Sequence, residues 1–335
     1  MNHVVVFGGG TGLSCLLSGL KLFPVDVTTV ITVSDNGSST GVLKKELDIP
    51  AVGDIGKVLI SMANVDEDFI RLLRYRFSKD GSLKNHPVRN IMLAALIDLK
   101  GNLTEATRYM CRLLNIKGTV LPLTEDVVEL VGEGKNHKKA FYGEEEVSQN
   151  IRNIAKLSYD HDVHASEEII AKILDSDLIL FSSGSLYTSI LPHLIVPELV
   201  DAINRSKAPI MYVSNLVTQP GETDHYSVSD HLRVLNSYLG KRNVDIVLAN
   251  NAQIDNSIRE RYLETEKKTV VELDRETVEA MGTRIIEDDI FCIDDDRIRH
   301  DALKTAFLVF SYLMENGNQH LTPHFTDDKK PSAAF

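Results

Sequence analysis

The 335-residue sequence is poor in cysteine: Cys15, Cys111 and Cys292 stand far apart, with no CxxC pair. An odd, sparse set excludes a disulfide framework and reads as reduced thiols in a cytosolic protein. Long apolar runs are also missing, and none approaches the roughly eighteen residues that a membrane span requires. Positive charge is in deficit, 36 Lys plus Arg against 48 Asp plus Glu, a formal net charge of −12. A nucleic-acid or anionic-membrane binder needs a basic footprint, so neither partner is expected. A local basic pocket for a phosphorylated ligand is still compatible with this balance. No linker rich in Pro, Gly or Ser divides the chain, and no internal repeat or heptad run occurs. Met1-Asn2-His3 leads straight into a strand-like run, so no targeting segment is expected and the implied location is the cytoplasm.

What is present begins at once. Val4 to Phe7 form a short apolar run, as in a strand buried on both faces. Leu13, Leu16, Leu17 and Leu20 then fall at i, i+3, i+4 and i+7, one apolar stripe of a helix. Between them lie Gly8, Gly9, Gly10, Thr11 and Gly12. Glycines leave no Cβ between main chain and ligand, and the following helix points unpaired N–H groups at that space. An anion such as a phosphate is the natural occupant; a turn used only for close strand–helix packing explains the same residues. Leu13 stands where a dinucleotide fingerprint needs glycine, so no redox cofactor is expected. No lysine precedes Lys21, so the P-loop pattern fails too.

Further strand-like runs occur at 27–33, 177–182, 209–215 and 244–250, with helical stripes between several of them. Leu303, Phe307, Phe310 and Met314 mark the last helix. Nearly all-apolar strands alternating with helices predict an α/β fold, a doubly wound, mostly parallel sheet. Residues 117–147 break the rhythm and read as a small antiparallel β excursion within one domain spanning 1–320. Residues 321–335 turn polar and aperiodic, the composition of a flexible tail.

In such sheets ligands bind beyond the carboxyl ends of the strands. Each strand here runs into a hydroxyl- or glycine-rich loop: the glycine loop, 34–41 with Asp35, Ser38 and Ser39, 182–192 with Ser183, Gly184, Ser185, Tyr187 and Thr188, and 214–224. Backbone amides and hydroxyls can wrap a diphosphate, while Asn215 and Gln219 can read a base edge. Asp35 and Asp54 are candidates for Mg²⁺, an ion content with one or two carboxylates plus ligand oxygens. An ordinary helix N-cap explains Asp54 equally well, and an Asx-turn is the rival for Asp35. His161 and His164 share a metal-compatible spacing without a partner cluster, and Ser185 does not sit in a nucleophile elbow.

The segments "VVVFGGGTGLSCLLSGLK", "TVSDNGSSTG", "GDIGK", "SSGSLYTSILPHLIVP", "SNLVTQPGETD" and "RIRHD" together resemble the YvcK family of gluconeogenesis factors, the bacterial branch of the CofD-like superfamily. The resemblance runs from Val4 to about Asp301. It implies a Rossmann-like fold and a ligand cleft at the loops above. It also implies a role in growth on gluconeogenic carbon sources, cell shape and cell-wall integrity, with binding of UDP-sugars such as UDP-N-acetylglucosamine or UDP-glucose. Oligomeric state, a homodimer included, and regulatory protein partners stay open. The founding superfamily enzyme transfers a phospholactyl group from a guanosine-diphosphate-activated donor with Mg²⁺, so a transferase of that type is the alternative. By resemblance Gly8 to Gly12 match the nucleotide loop, Asp35 and Asp54 the acidic turns, and Ser183 to Thr188 and Asn215, Thr218 and Gln219 the next loops. Tyr262 and Arg299 match late UDP-sugar positions.

Departures from the family pattern are equally specific. Ser183 stands in place of proline, and Asn36 in place of a second acid. Gly56 stands where arginine is common, with Lys57 beside it. Pro87 and Arg89 occupy positions usually held by small residues. Lysine offers a point charge where arginine offers a bidentate grip, so these changes bear on catalysis more than on binding.

Overall fold

The computed structural model describes residues 1–135, 139–294 and 296–317. Its strands, in chain order, are β1 (Asn2–Gly8), β2 (Val25–Ile31), β3 (Thr119–Pro122), β4 (Leu130–Gly134), β5 (Ala140–Tyr142) and β6 (Ile154–Tyr159). There follow β7 (Leu178–Phe181), β8 (Ile210–Val213), β9 (Ile246–Asn250), β10 (Arg284–Asp288), β11 (Phe291–Asp294) and β12 (Arg297–His300). Seven of them form one parallel sheet in the order β3-β2-β1-β7-β8-β9-β10. This is the α/β Rossmann-like architecture that the alternation of apolar runs and helical stripes predicts.

The sheet explains the composition of its strands. Val4, Val5, Val6 and Phe7 are all fully buried, which an alternating strand with one wet face would not allow. From β1 the chain winds outward through β2 to β3, then returns to β7 on the other side of β1 and winds outward again to β10. The reversal of direction lies between β1 and β7, whose pairing runs from Val4↔Leu178 to Phe7↔Phe181. Loops leaving those two strands at their carboxyl ends must diverge around a crevice.

Five helices matter for that crevice: α1 (Gly10–Leu20), α2 (Ser38–Leu47), α3 (Gly53–Met62), α4 (Glu67–Arg74) and α5 (Val88–Lys100). The predicted leucine stripe of α1 is buried in full. Its Gly19 lies against the C-terminal helix Ala302–Gly317, where a Cβ would be 2.0 Å from the Ala302 carbonyl oxygen. Only glycine permits that crossing. On the C-terminal helix itself the stripe reads the wrong face: Leu303, Phe307 and Met314 are exposed, and Ala306, Val309 and Leu313 make the contact.

The β excursion has other limits than the composition suggests. Residues 119–122 join the parallel sheet as its edge strand, because Thr28 to Ile31 of β2 have a free side to pair with them. The antiparallel sheet is β5-β4-β6, closed by residues 154–159, and the helix Glu144–Asn150 interrupts it. Residues 321–335, read as a tail, lie outside the described residues. Among the described residues no single helix is long and apolar enough to cross a membrane.

Candidate functional site

The crevice at the β1/β7 reversal is a cleft of about 670 Å³, within the range that holds nucleotide-sized ligands. Its floor is the glycine loop. Gly10 has φ +65°, and a Cβ placed on it would meet nothing within 4 Å, so the space above it is open. Gly12 is the opposite case. A Cβ there would be 2.4 Å from the Ser183 carbonyl oxygen, so α1 begins in direct contact with the loop after β7.

Asp54 is not the cap of its own helix. From the first turn of α3 its Oδ2 accepts the Gly10 N–H at 2.9 Å, closing the start of α1 from across the crevice. Its Oδ1 accepts from Lys57 Nζ at 2.7 Å. The carboxylate thus takes one first-turn donor of α1, and those of Thr11 and Gly12 remain for a ligand. Asp35 does form an Asx-turn, with Oδ1 accepting the Gly37 N–H at 2.8 Å. Its other oxygen lies toward Gly53, where a Cβ would be 2.8 Å away, and the carboxylate also bonds Glu144.

The opposite wall comes from the loop after β7 and the wide helical turn Leu186–Ile190, the π type often found at binding sites. His300 Nε2 lies 3.0 Å from the Ser214 carbonyl, which can only accept, so that nitrogen carries the proton. Ser183 Oγ therefore donates to His300 Nδ1, at 3.2 Å. Burial pushes the His300 imidazole down to about 4, so it is neutral at physiological pH. Burial also pushes the Cys15 thiol up to about 11, which removes it as a nucleophile. Asn215 Nδ2 donates to the Gly184 carbonyl and its Oδ1 accepts from Tyr212, so both ends of the amide are engaged.

Ser185 points to a residue that the sequence reading passes over. Its hydroxyl lies 2.6 and 2.8 Å from the two carboxyl oxygens of Glu222, a side chain only 4% exposed. Burial pushes Glu222 from 4.5 up to about 7. Between pH 4.5 and 7 the unfolded chain releases this proton while the folded one keeps it, so stability falls as pH rises through that window. The expected loss is about 3 kcal/mol, level above the window. Urea melts across pH 4–8 should show this slope, and Glu222→Gln should make it shallower, leaving the part due to Glu144; an unchanged slope in the variant would place the proton elsewhere.

The cleft carries charge of both signs. Asp35, Asp54 and Glu144 gather around Lys57, which pairs with Asp54. Glu266, Lys268, Arg297 and Arg299 also line it, Lys268 pairing with Glu266 at 2.5 Å. Burial, then the charges of Asp35 and Asp54, push the Glu144 carboxyl up to about 8. The Tyr262 hydroxyl accepts the Ile298 N–H, pinning β12 so that Arg297 and Arg299 flank the opening. Arg299 approaches Asp294 at 3.3 Å, but its Nε forms no hydrogen bond among the described residues.

Of the residues singled out from sequence, Gly9, Gly10, Thr11, Gly12, Asp35, Asp54, Ser183, Gly184, Ser185, Thr188, Asn215, Gln219, Tyr262 and Arg299 share this cleft. Five do not line it. Gly8 (φ +151°) is the close approach of β1 to Ser182, where a Cβ would be 2.0 Å from Oγ. Ser38 is exposed at the start of α2. Ser39 is buried against His86 Nδ1 (2.9 Å) and Asn90. Tyr187 bonds Tyr226, and Thr218 bonds Thr269, so both hydroxyls brace neighbouring loops. Residues missed are Glu144, Glu222, Lys268, Arg297 and His300. Only His300 and Arg297 carried a signal, as neighbours of Arg299 in "RIRHD". The two departures Gly56 and Arg89 turn out to be one contact: a Cβ at Gly56 would meet the Arg89 Cδ at 3.1 Å.

The family model described as 2-phospho-L-lactate transferase CofD matches residues 4–291. A Bacillus subtilis (strain 168) protein named gluconeogenesis factor is 38% identical over 313 residues, 93% of this chain and 98% of that one. The gluconeogenesis factor of Halalkalibacterium halodurans is 37% identical, covering 91% and 94% of the two chains. A crystal structure of a UPF0052 family member from Bacillus halodurans superposes with a TM-score of 0.86 at 36% identity, over 92% of this chain and 99% of that one. A match of this extent in both sequence and fold places the chain in the CofD family.

Proposed function

We propose that the chain is a gluconeogenesis factor that binds a nucleotide sugar of the UDP-N-acetylglucosamine or UDP-glucose class, and acts as a ligand-sensing regulator rather than through a covalent intermediate. One observation supports this most directly: an open glycine loop at the sheet reversal faces a cleft that Arg297 and Arg299 also line, with Lys57 and Lys268 there held by Asp54 and Glu266. A diphosphate fits the main-chain donors and the cations together. Gln219, Leu216 and Val217 offer polar and apolar contact to a base, and Arg297 and Arg299 offer charge to phosphate or sugar. Against covalent catalysis stand the protonated Cys15 thiol and the neutral, fully bonded His300.

The name shared by the relatives supports a link to carbon supply, and the resemblance supports a role in cell shape and cell-wall integrity. Sensing requires that the ligand bind one conformation more tightly than another. Isothermal calorimetry with UDP-N-acetylglucosamine, UDP-glucose and GDP tests this reading: heat is expected with the UDP-sugars, and none up to millimolar ligand would remove it.

The transferase alternative draws on the acids. Asp35 and Asp54 are oxygen donors suited to Mg²⁺ and both line the cleft, and an ion on Asp54 would displace Lys57 from its Oδ1. Among the described residues no three side chains converge as an all-protein metal cage, so the ligand's own oxygens would complete the shell. Bound there, the ion would neutralise charge on a leaving phosphate.

A further inference from the structure

Arg74 at the end of α4, Arg76 just beyond it and Arg89 in the first turn of α5 are brought together where the chain pairs with itself. The Val88 N–H bonds the Tyr75 carbonyl at 3.0 Å and Arg76 bridges to Pro87, so the three charges lie close enough to repel. Among the described residues none of the three pairs with a carboxylate, although many exposed arginines elsewhere do. Arg76 gives one N–H to the Asn85 carbonyl at 2.7 Å. Arg89 is the unusual member: it is 8% exposed, and its Nε is buried with no hydrogen-bond partner. Its stem lies across Gly56 on α3, two residues from Asp54, whose charge also reaches it.

A buried guanidinium N–H without an acceptor is destabilising, and such a group is expected where something outside the chain satisfies it. We propose that Arg74, Arg76 and Arg89 form a subsite for a phosphoryl group, adjoining the acids of the cleft. Guanidinium groups present planar pairs of N–H donors that match phosphate oxygens. In a chain of net charge −12, three neighbouring cations left unneutralised make a local well for a multivalent anion. The absence of a side chain at Gly56 is what lets Arg89 lie there, so the exchange of residue types at 56 and 89 delivers a guanidinium to this corner from α5. The phosphoryl group belongs either to the ligand seated in the cleft, extending past Asp54, or to a separate phosphorylated molecule. The subsite does not depend on the nucleotide-sugar reading.

The test is calorimetric titration of the full chain with inorganic pyrophosphate. Wild type should bind, Arg89→Ala should weaken binding about tenfold, and Arg89→Lys should recover only part of it. The double variant Arg74→Ala/Arg76→Ala removes two exposed side chains and the bond from Arg76 to Asn85, so its thermal melt is compared with wild type first, and it should weaken binding similarly. Wild type that does not bind pyrophosphate, or a double variant that binds as tightly as wild type, overturns the subsite. Repeating the titration of wild type and the double variant with saturating UDP-N-acetylglucosamine, which fills the glycine loop, separates the sources. If the difference between the two proteins disappears, the subsite holds the ligand's own phosphate, and if it persists, it takes a second molecule. Should the UDP-sugar not bind at all, the nucleotide-sugar reading falls while the variants still decide the subsite.

Discussion

Gly12→Ala should cost about 3 kcal/mol of stability and abolish ligand binding, whereas Gly10→Ala should cost about 1 kcal/mol and still abolish it. The difference follows from what each added methyl meets. At Gly12 it meets the backbone of Ser183 at 2.4 and 2.8 Å, and a carbonyl in a packed turn cannot swing aside as a side-chain tip can. α1 must then lift away from the loop after β7, which disturbs both walls of the cleft. Alanine's better helix propensity returns at most about 1 kcal/mol. At Gly10 the methyl meets nothing, so the fold bears only the strain of φ +65°. That methyl stands in the space above the main-chain donors, where a diphosphate would have to sit. Chemical denaturation and UDP-sugar calorimetry on both variants give four numbers. Gly10→Ala that binds like wild type would show that the phosphate is not held over this loop. Gly12→Ala as stable as wild type would show that α1 and Ser183 are not in contact as described.

The contrast marks what could be read in the sequence. The β1–glycine–α1 unit is local: apolar run, glycines and leucine stripe lie within twenty residues, and their periodicities report their own burial. Capping of α1 by Asp54 joins residues 44 apart, so the acid reads as a cap for the helix it sits on. Ser39 and Thr218 look like ligand hydroxyls because polar loops contain both ligand contacts and internal braces, and composition does not distinguish them. Glu222 is one of two acids in a polar loop, and only the packing around Ser185 sets it apart from Asp224. Arg89 is similar in kind. A departure from the family pattern is visible from sequence, but its meaning required seeing that it lies on Gly56, the other departure. Elements were legible where the cause is periodic, and site roles were hidden where the cause is a contact between distant loops.

Neutralising Asp35 should separate binder from transferase by the sign of its effect. Asp35, Asp54 and Glu144 gather in a cleft that Arg297 and Arg299 also line, and burial plus mutual repulsion already disfavours full ionisation of Glu144. If a diphosphate binds there without a cation, each acid repels it, and Asp35→Asn should tighten UDP-sugar binding about tenfold. If Mg²⁺ bridges Asp35 and the diphosphate, the same substitution removes a metal ligand. Affinity should then fall by a similar factor, and its dependence on Mg²⁺ should vanish. The asparagine keeps an oxygen able to accept the Gly37 N–H, so the Asx-turn survives in either case and the loop is not the variable. Asp54→Asn is a poorer probe, because it also releases Lys57 and thereby adds a free cation to the cleft. Calorimetry of wild type and Asp35→Asn, each with Mg²⁺ and with EDTA, reads the sign directly. Tighter binding in the variant, indifferent to EDTA, leaves no work for a metal at Asp35 and removes the basis of the transferase reading. Weaker binding with lost Mg²⁺ dependence gives the acids a chemical purpose that a simple sensor does not need.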